Sequence, residues 1–308
     1  MRIAVTGGSG FIGSHVVNHL KKTGHDVLNI DQNGPEAKVV DICDTTALVE
    51  TFKEFRPEHV FHIAGVADAR DTLAHPVKAV QANVLGTASV LEAARQTAVK
   101  RVLLASTCWV ANAMGDGILD ETQPFLPTGA GHVYSTTKIA TELLAHDFQK
   151  LYGLPFTVLR YGIPYGPRMW PGLVLRNFLD SAAAGRPLTI FGDGSASRRF
   201  VNVDDLARAH VLALQDVATN QVYNLEGMRF VTIKELAELF SKLWAGVEII
   251  YRPEPTRAGE FQYFRKILSS NRAYIDLGWQ PEIDLEEGVR RTIEWYKREV
   301  LCKDQKAA

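Results

Sequence analysis

Cysteine is scarce in this chain of 308 residues: three are present, Cys43, Cys108 and Cys302. They show no CxxC spacing and no accompanying histidine pattern, which argues against a disulfide framework or a zinc site and suits a reducing compartment. No apolar stretch approaches the ~18 residues needed to span a bilayer. A first strand is expected from Arg2, which leaves no space for a secretory leader, so a cytoplasmic protein is expected. An excess of either charge is missing too: 34 basic residues stand against 35 acidic ones, for a formal net charge of −1. That balance draws the whole molecule neither to nucleic acid nor to an anionic membrane, and an anionic ligand has to be met locally, by arginines or helix N-termini. Internal repeats and low-complexity tracts are also absent.

What the chain has in quantity is apolar residues, 46% of the total, enough for one sizeable unit plus a smaller companion. Short β-branched runs, RIAVT (2–6), DVLNI (26–30), AKVVD (37–41), HVFHI (59–63), RVLLAS (101–106) and FTVLR (156–160), are apolar at nearly every position. Strands of a parallel sheet covered on both faces read this way. Between them Ile12, Val16, Val17 and Leu20 share one helical stripe, and longer helical patterns run over 77–98 and 133–151. Alternating β and α units specify an α/β fold with a doubly wound parallel sheet.

The rhythm changes after Arg160. Residues 162–171 are dense in Gly, Pro and aromatics and read as loop. Beyond them the patterns predict helix 172–184, strands 188–191 and 199–203, helix 204–215, strand 221–225, helix 232–243, strand 247–251 and an amphipathic helix over 284–299. The tail, 301–308, reads as frayed.

TGGSGFIG (6–13) joins the first strand to the first helix. Gly7 permits a tight turn, Gly10 lets backbone approach a diphosphate, and Gly13 lets helix and strand pack closely. Phe11 and Ile12 belong to the helix start whose free N–H groups face that diphosphate. A glycine pattern alone says little. This one has the strand before it, the helix after it, and an acid, Asp31, 18 residues past Gly13. A carboxylate there accepts hydrogen bonds from an adenosine ribose and repels a 2′-phosphate. Gln32, Asn33 and Gly34 supply no cation to reverse that preference, so NAD is expected rather than NADP.

Tyr134 and Lys138 are spaced i, i+4 at the start of a helical pattern, which places both on one face. A free phenol, with a pKa of about 10, is protonated at neutral pH. A neighbouring ammonium favours the phenolate, so the pair is expected to lower that value and provide a general base. Ser106 and Thr107 end the fifth strand, where a doubly wound sheet opens its ligand crevice and a hydroxyl can be delivered.

Further motifs accompany these: Asp41–Ile42, HIAG (62–65), Asn83 in NVLGT, YSTTK (134–138), LRYGIPYGPR (159–168), FGDGSASRRFVNVDDLA (191–207) and LGWQP (277–281). With them the chain resembles the NAD-dependent epimerase/dehydratase family, the extended branch of the short-chain dehydrogenases, from residue 1 to about 295. The resemblance implies a Rossmann-type, doubly wound NAD-binding domain over 1–161, with segments near 200–227 and 264–277 returning to it. It also implies a smaller α/β substrate-binding lid domain from 162–199, 228–263 and 278–300.

In such a protein Tyr134 would take the proton of a sugar hydroxyl, and Lys138 would hold the nicotinamide ribose and tune Tyr134. Thr107 would hydrogen-bond the reacting oxygen. Asp41 and Ile42 would contact the adenine, Ala64 and Gly65 would line the diphosphate side, Asn83 would support the nucleotide region, and Tyr161 would complete the cofactor site. Arg198 and Arg257 match arginines that meet the substrate diphosphate, although each also suits an ordinary surface charge. A nucleotide-diphosphate sugar is the implied substrate, and a homodimer paired through the helices of 77–98 and 133–151 is the implied assembly.

Departures from the family pattern narrow the reaction. After the Ser-Thr pair the dehydratases carry an acidic pair and the decarboxylases a glutamate; here Cys108 and Trp109 follow. Water elimination and decarboxylation thereby lose their proton-transfer group. VAN (110–112) replaces the usual VYG, Ile163 a substrate-side asparagine, and Arg199 the aspartate of RDFV, which implies unusual sugar recognition. Cys108 has two readings. One is an inert packed thiol, which is favoured; the other is the cysteine of members that epimerise at C3 and C5, whose partner histidine is Arg168 here. Trp109 and Trp170 either wall a sugar pocket or pack. The candidate substrate contacts are Thr107, Cys108, Trp109, Tyr134, Arg198 and Arg257. The expected reaction is 4-epimerisation of a nucleotide hexose of the UDP-glucose/UDP-galactose kind. The alternative is a net nucleotide-sugar dehydrogenase or 4-keto reductase. No metal is expected.

Overall fold

The computed structural model describes residues 1–308 apart from 35, 112–113, 115–116, 127–130, 254–265 and 303–308. Along the chain the strands are β1 (Arg2–Thr6), β2 (Asp26–Asp31), β3 (Lys38–Val39), β4 (His59–His62), β5 (Arg101–Thr107), β6 (Gly117–Leu119) and β7 (Phe156–Tyr161). They continue as β8 (Ile163–Tyr165), β9 (Leu188–Phe191), β10 (Ser197–Arg198), β11 (Phe200–Asn202), β12 (Gln221–Leu225), β13 (Val231–Thr232), β14 (Ile249–Arg252) and β15 (Lys266–Leu268). The chain divides into two compact units. One comprises Met1–Tyr161, Leu206–Leu225 and Gly259–Gln280, the other Gly162–Asp205, Glu226–Ala258 and Pro281–Ala308.

In the first unit seven strands form one sheet in the order β12-β7-β5-β4-β1-β2-β3, and every neighbouring pair is parallel. The chain starts inside the sheet at β1, builds outward through β2 and β3, then crosses back to β4. That reversal between β1 and β4 is the switch point of a Rossmann-type, doubly wound sheet, and it opens a crevice at the C-terminal ends of the strands. β4, β5 and β7 are buried at every position, as their unbroken apolar character requires. Phe52, Leu91 and Phe156 sit within one core cluster with Ile30, Val60 and Val102. Each such side chain contributes about 1.5–3 kcal/mol on burial, so packing on the sheet, rather than the thin strand edges, holds this unit together.

The structure redraws several expected elements. The run at 37–41 yields only β3, an edge strand with Val39 70% exposed, and not a strand covered on both faces. The helix expected over 77–98 is helical at Pro76–Val80 and Gly86–Gln96, with a π turn at Gln81–Leu85 between them. At that turn the Asn83 carbonyl accepts the hydroxyls of Thr87, at 2.6 Å, and Thr141, at 3.3 Å. Hydroxyls that claim a helix carbonyl displace its ordinary partner, and a widened turn results. Residues 163–165, read as loop, form β8, which pairs in parallel with β11. That pairing also keeps residues 200–205 in the second unit, so the returning segment starts at Leu206. The short pair β6 and β15 had no pattern long enough to reveal it.

The helix carrying Tyr134 and Lys138 spans Val133–Tyr152. His132 caps it by accepting the Tyr134 N–H at 3.0 Å, and Gly153, at φ 70°, ends it in the left-handed region, where glycine is unstrained. The second unit contains the pairs β8–β11, β9–β14 and β10–β13 with helices at Val174–Ala183, Ile233–Leu243 and Leu285–Tyr296. Among the described residues no helix is long and apolar enough to cross a membrane, and no three His, Cys, Asp or Glu side chains are grouped to hold a metal ion.

Candidate active site

The loop between β1 and the first helix, Phe11–Lys22, is shaped by its own backbone. Gly7 has a φ of 74°, and a Cβ there would stand 2.6 Å from the Ala64 nitrogen, just past β4. A Cβ on Gly13 would stand 2.0 Å from the Gly7 carbonyl oxygen. The protein itself closes both positions to a side chain. Gly10 differs, because a Cβ there would meet only the Gly7 oxygen, at 3.3 Å. Internal packing therefore constrains position 10 far less than positions 7 and 13. Phe11 is buried and Ile12 half-buried in the first turn. The helix's first backbone bond runs from Ser14 to Gly10, at 3.1 Å, and the N–H groups ahead of it are those a helix start offers to an anion.

Asp31 ends β2 and is fixed against this loop. One carboxylate oxygen accepts the Ser9 N–H at 3.0 Å and the other accepts the Gln32 N–H at 2.8 Å. Asp41 is exposed and accepts the Cys43 N–H at 2.9 Å. Ile42, by contrast, belongs to the core cluster, its side chain lying within 2.7 Å of where a Gly86 Cβ would stand. The Ile42 side chain is thus used in packing, which leaves its backbone for any ligand contact.

At the crevice, Gly65, Asn83 and Lys138 converge. A Cβ on Gly65 would lie 2.8 Å from Asn83 Oδ1 and 3.7 Å from Lys138 Nζ. Asn83 is fully buried; it accepts the Val66 N–H at 2.8 Å and donates to the Val66 carbonyl at 3.0 Å and to Thr137 Oγ1 at 2.9 Å. It therefore ties the loop after β4 to the Tyr134 helix.

Thr107, Tyr134 and Lys138 are all buried. The Thr107 and Tyr134 hydroxyls are hydrogen-bonded to each other, and Thr107 Oγ1 also accepts the Trp109 N–H at 3.3 Å. Lys138 Nζ donates to the Ala105 carbonyl at 2.9 Å. The expected lowering of the phenol by the ammonium is not found. Desolvation penalises the phenolate and holds Tyr134 above its ordinary value; the nearby Cys108 adds to that rise and the Thr107 bond opposes it. Burial brings Lys138 down to about 8, with Glu142 opposing. Exclusion of water is thus the largest influence on this phenol and favours its neutral form.

The remaining predicted residues divide. The Tyr161 hydroxyl is committed to His210 Nε2, at 2.8 Å. Cys108 is half-buried and in no disulfide, and with Trp109 it starts the short 3₁₀ turn Cys108–Ala111 after β5. Arg198 lies in the second unit, on β10, opposite Val231, and donates to the Ser197 carbonyl at 2.8 Å. Arg257 lies outside the described residues. Two features escaped sequence reasoning. His62 bridges Thr6, at 2.8 Å, and Thr87, at 3.1 Å, and is held neutral at about 3 by burial and by Lys138. Beside Lys138, Ser106, Glu142 and Arg160 form a buried network. Its signal was a carboxylate at i+4 from Lys138 on the helix's buried stripe.

The model of the NAD dependent epimerase/dehydratase family matches residues 3–225. The chain belongs to this family. It is an NAD-dependent enzyme, and the opening at Gly10 and the carboxylate of Asp31 suit that cofactor. This family member is 32% identical to the UDP-glucose 4-epimerase of Mycolicibacterium smegmatis, over 96% of this chain and 99% of that protein. It is 29% identical to the dTDP-glucose 4,6-dehydratase of Neisseria meningitidis serogroup B, over 96% and 93%. Among solved structures it resembles the UDP-glucose 4-epimerase of Thermotoga maritima with UDP-glucose, with a TM-score of 0.87 at 32% identity, covering 97% of this chain and 99% of that one. Epimerase and dehydratase are similar at nearly the same level, so the site has to choose between them.

If Asp31 meets the ribose diol, NAD(H) should bind at least roughly tenfold tighter than NADP(H), and Asp31→Ala combined with Gln32→Arg should turn the preference toward NADP(H). Titration giving equal wild-type affinities would remove Asp31 from that role.

Proposed function

We propose that the enzyme epimerises a nucleotide-activated hexose at C4, of the UDP-glucose/UDP-galactose kind. The observation that carries the reading is the supply of proton-transfer groups at the end of β5. Thr107 is followed by Cys108 and Trp109, and the buried carboxylate near Lys138, Glu142, is bound at both oxygens by Arg160 and Ser106. Elimination of water requires an acid and a base beyond the group that serves the alcohol. Epimerisation requires one proton, taken from the C4 hydroxyl and later returned to it, and Tyr134 with Thr107 is sufficient for that.

NAD, when bound, supplies the hydride acceptor. The chain's own part is to seat the C4 oxygen between Thr107 and Tyr134, with the ammonium of Lys138 favouring the charged form of the phenol as the proton leaves. Arg198 and Arg257 would hold the diphosphate, making the second unit the substrate-binding lid. Inversion requires a firm hold on the nucleotide and a weak hold on the ring. Ile163, apolar where a polar contact to the sugar is usual, supports the weak hold. Incubation with UDP-glucose, followed by NMR, should show UDP-galactose without net NADH. Stoichiometric NADH with no epimer would replace the reading with a dehydrogenase.

The same reading includes a homodimer. Val77, Val80 and Leu85 are exposed along one side of the interrupted helix, and Leu143 is exposed on the Tyr134 helix. Apolar helix faces of this kind suit burial against a second copy across a two-fold axis. Light scattering at micromolar concentration should give twice the chain mass; a monomer would count against the pairing.

A further inference from the structure

We propose that Ser106, Glu142 and Arg160 act together as a positioning device for Lys138, fixing its ammonium against the Ala105 carbonyl and keeping it charged. The inference rests on reading Lys138 as the cation of the reaction site. Glu142 lies one turn after Lys138 on the Tyr134 helix, and its side chain is 1% exposed, that of Arg160 5%. Arg160 reaches Glu142 through two nitrogens, Nε at 3.0 Å from Oε1 and Nη2 at 2.7 Å from Oε2. Ser106 Oγ donates to Oε1 as well.

The geometry ties three elements together at one level. Ser106 is opposite Arg160 in the parallel register of β5 and β7. The residue before Ser106 is Ala105, whose carbonyl receives Lys138 Nζ at 2.9 Å. Two consecutive residues of β5 therefore hold two side chains that are one turn apart on the helix. Sliding the helix along the sheet would break both contacts at once, so the carboxylate sets where the ammonium can stand.

Charge gives the device a second task. Lys138 and Arg160 are both buried, and Glu142, ion-paired with Arg160, stands one turn along the helix from Lys138. Of the titratable groups near Lys138, Tyr134 on the same helix, with Cys108 close to it, is held up by burial, and His62 on β4 is held down. Glu142 is the group that opposes the loss of the Lys138 proton on burial.

The test separates position from charge. Glu142→Gln alone strands a buried arginine, a change that commonly unfolds a protein, whereas neutralising both partners with similar shapes is far better tolerated. The informative variant is therefore E142Q/R160Q, checked for fold by circular dichroism. Its kcat is expected to be lowered, with the alkaline limb of the kcat–pH profile moved down by about one unit and the nucleotide-sugar KM within twofold of wild type. E142D keeps the charge and shortens the arm, so it should lower kcat and leave the limb in place. A folded E142Q/R160Q with the wild-type limb would overturn the proposal, whatever its kcat, because a merely structural pair would not move that limb. K138A distinguishes the two levels: if it is active, the reading of Lys138 fails; if it is inactive while E142Q/R160Q behaves as wild type, the positioning role alone fails.

Discussion

Tyr134→Phe is expected to lower turnover by at least ~10²-fold, the scale of general acid–base catalysis, with fold and NAD affinity preserved. The ring is buried and phenylalanine fills the same volume, so packing changes little. What disappears is the hydroxyl bonded to Thr107, the group proposed to take the proton of the sugar hydroxyl. The pH profile of the wild-type enzyme carries the same chemistry. Tyr134 is held above its ordinary value by burial, so its ionisation depends on a positive charge nearby. Lys138 is brought down to about 8, so the ammonium is present below that pH and is lost as pH rises through it, and turnover should fall there. An active Tyr134→Phe enzyme would place the proton acceptor elsewhere.

Gly13→Ala is expected to cost the folded cofactor loop, while Gly10→Ala keeps the fold and loses NAD. At position 13 the new methyl would stand 2.0 Å from the Gly7 oxygen and 2.9 Å from the Gly8 Cα. All the nearest atoms are backbone, so no side chain can swing away. Relief has to come from moving the loop, which Gly7 presses against Ala64. Forcing a methyl into such a contact commonly costs about 1–3 kcal/mol, and the loop that moves is the one proposed to meet the diphosphate. At position 10 the single contact is 3.3 Å, a few tenths of an ångström from comfortable. A thermal melt and an NAD titration on the two variants suffice. Equal melting temperatures would show that Gly13 is not closed by its own backbone, and an undiminished NAD affinity in Gly10→Ala would show that nothing approaches there.

The glycine loop after β1 was legible in the sequence for a physical reason. Gly7 and Gly13 answer to backbone geometry, and constraints of that kind permit few residue types. The parallel strands were legible for a similar reason, since a strand covered on both faces has to be apolar throughout. The core role of the Ile42 side chain went unread, because an apolar residue beside an acid carries no sign of its packing against Gly86. The π turn at Gln81–Leu85 was hidden because one of the two hydroxyls on the Asn83 carbonyl comes from Thr141, on a different helix. The lowered phenol expected at Tyr134 failed because spacing reveals a neighbouring charge but not the water excluded around it. β8 went unseen because a strand of three residues flanked by glycine and proline has no period to read.

The claim at the centre is that one carbon of a nucleotide sugar is oxidised and then reduced on the opposite face in a single residence. The most direct test uses UDP-glucose deuterated at C4, followed by NMR while NADH absorbance is read in the same sample. Epimerisation as described predicts UDP-galactose that retains deuterium at C4, with no accumulation of NADH. Deuterium lost to solvent during epimer formation would contradict it, as would NADH rising in step with substrate loss and no epimer.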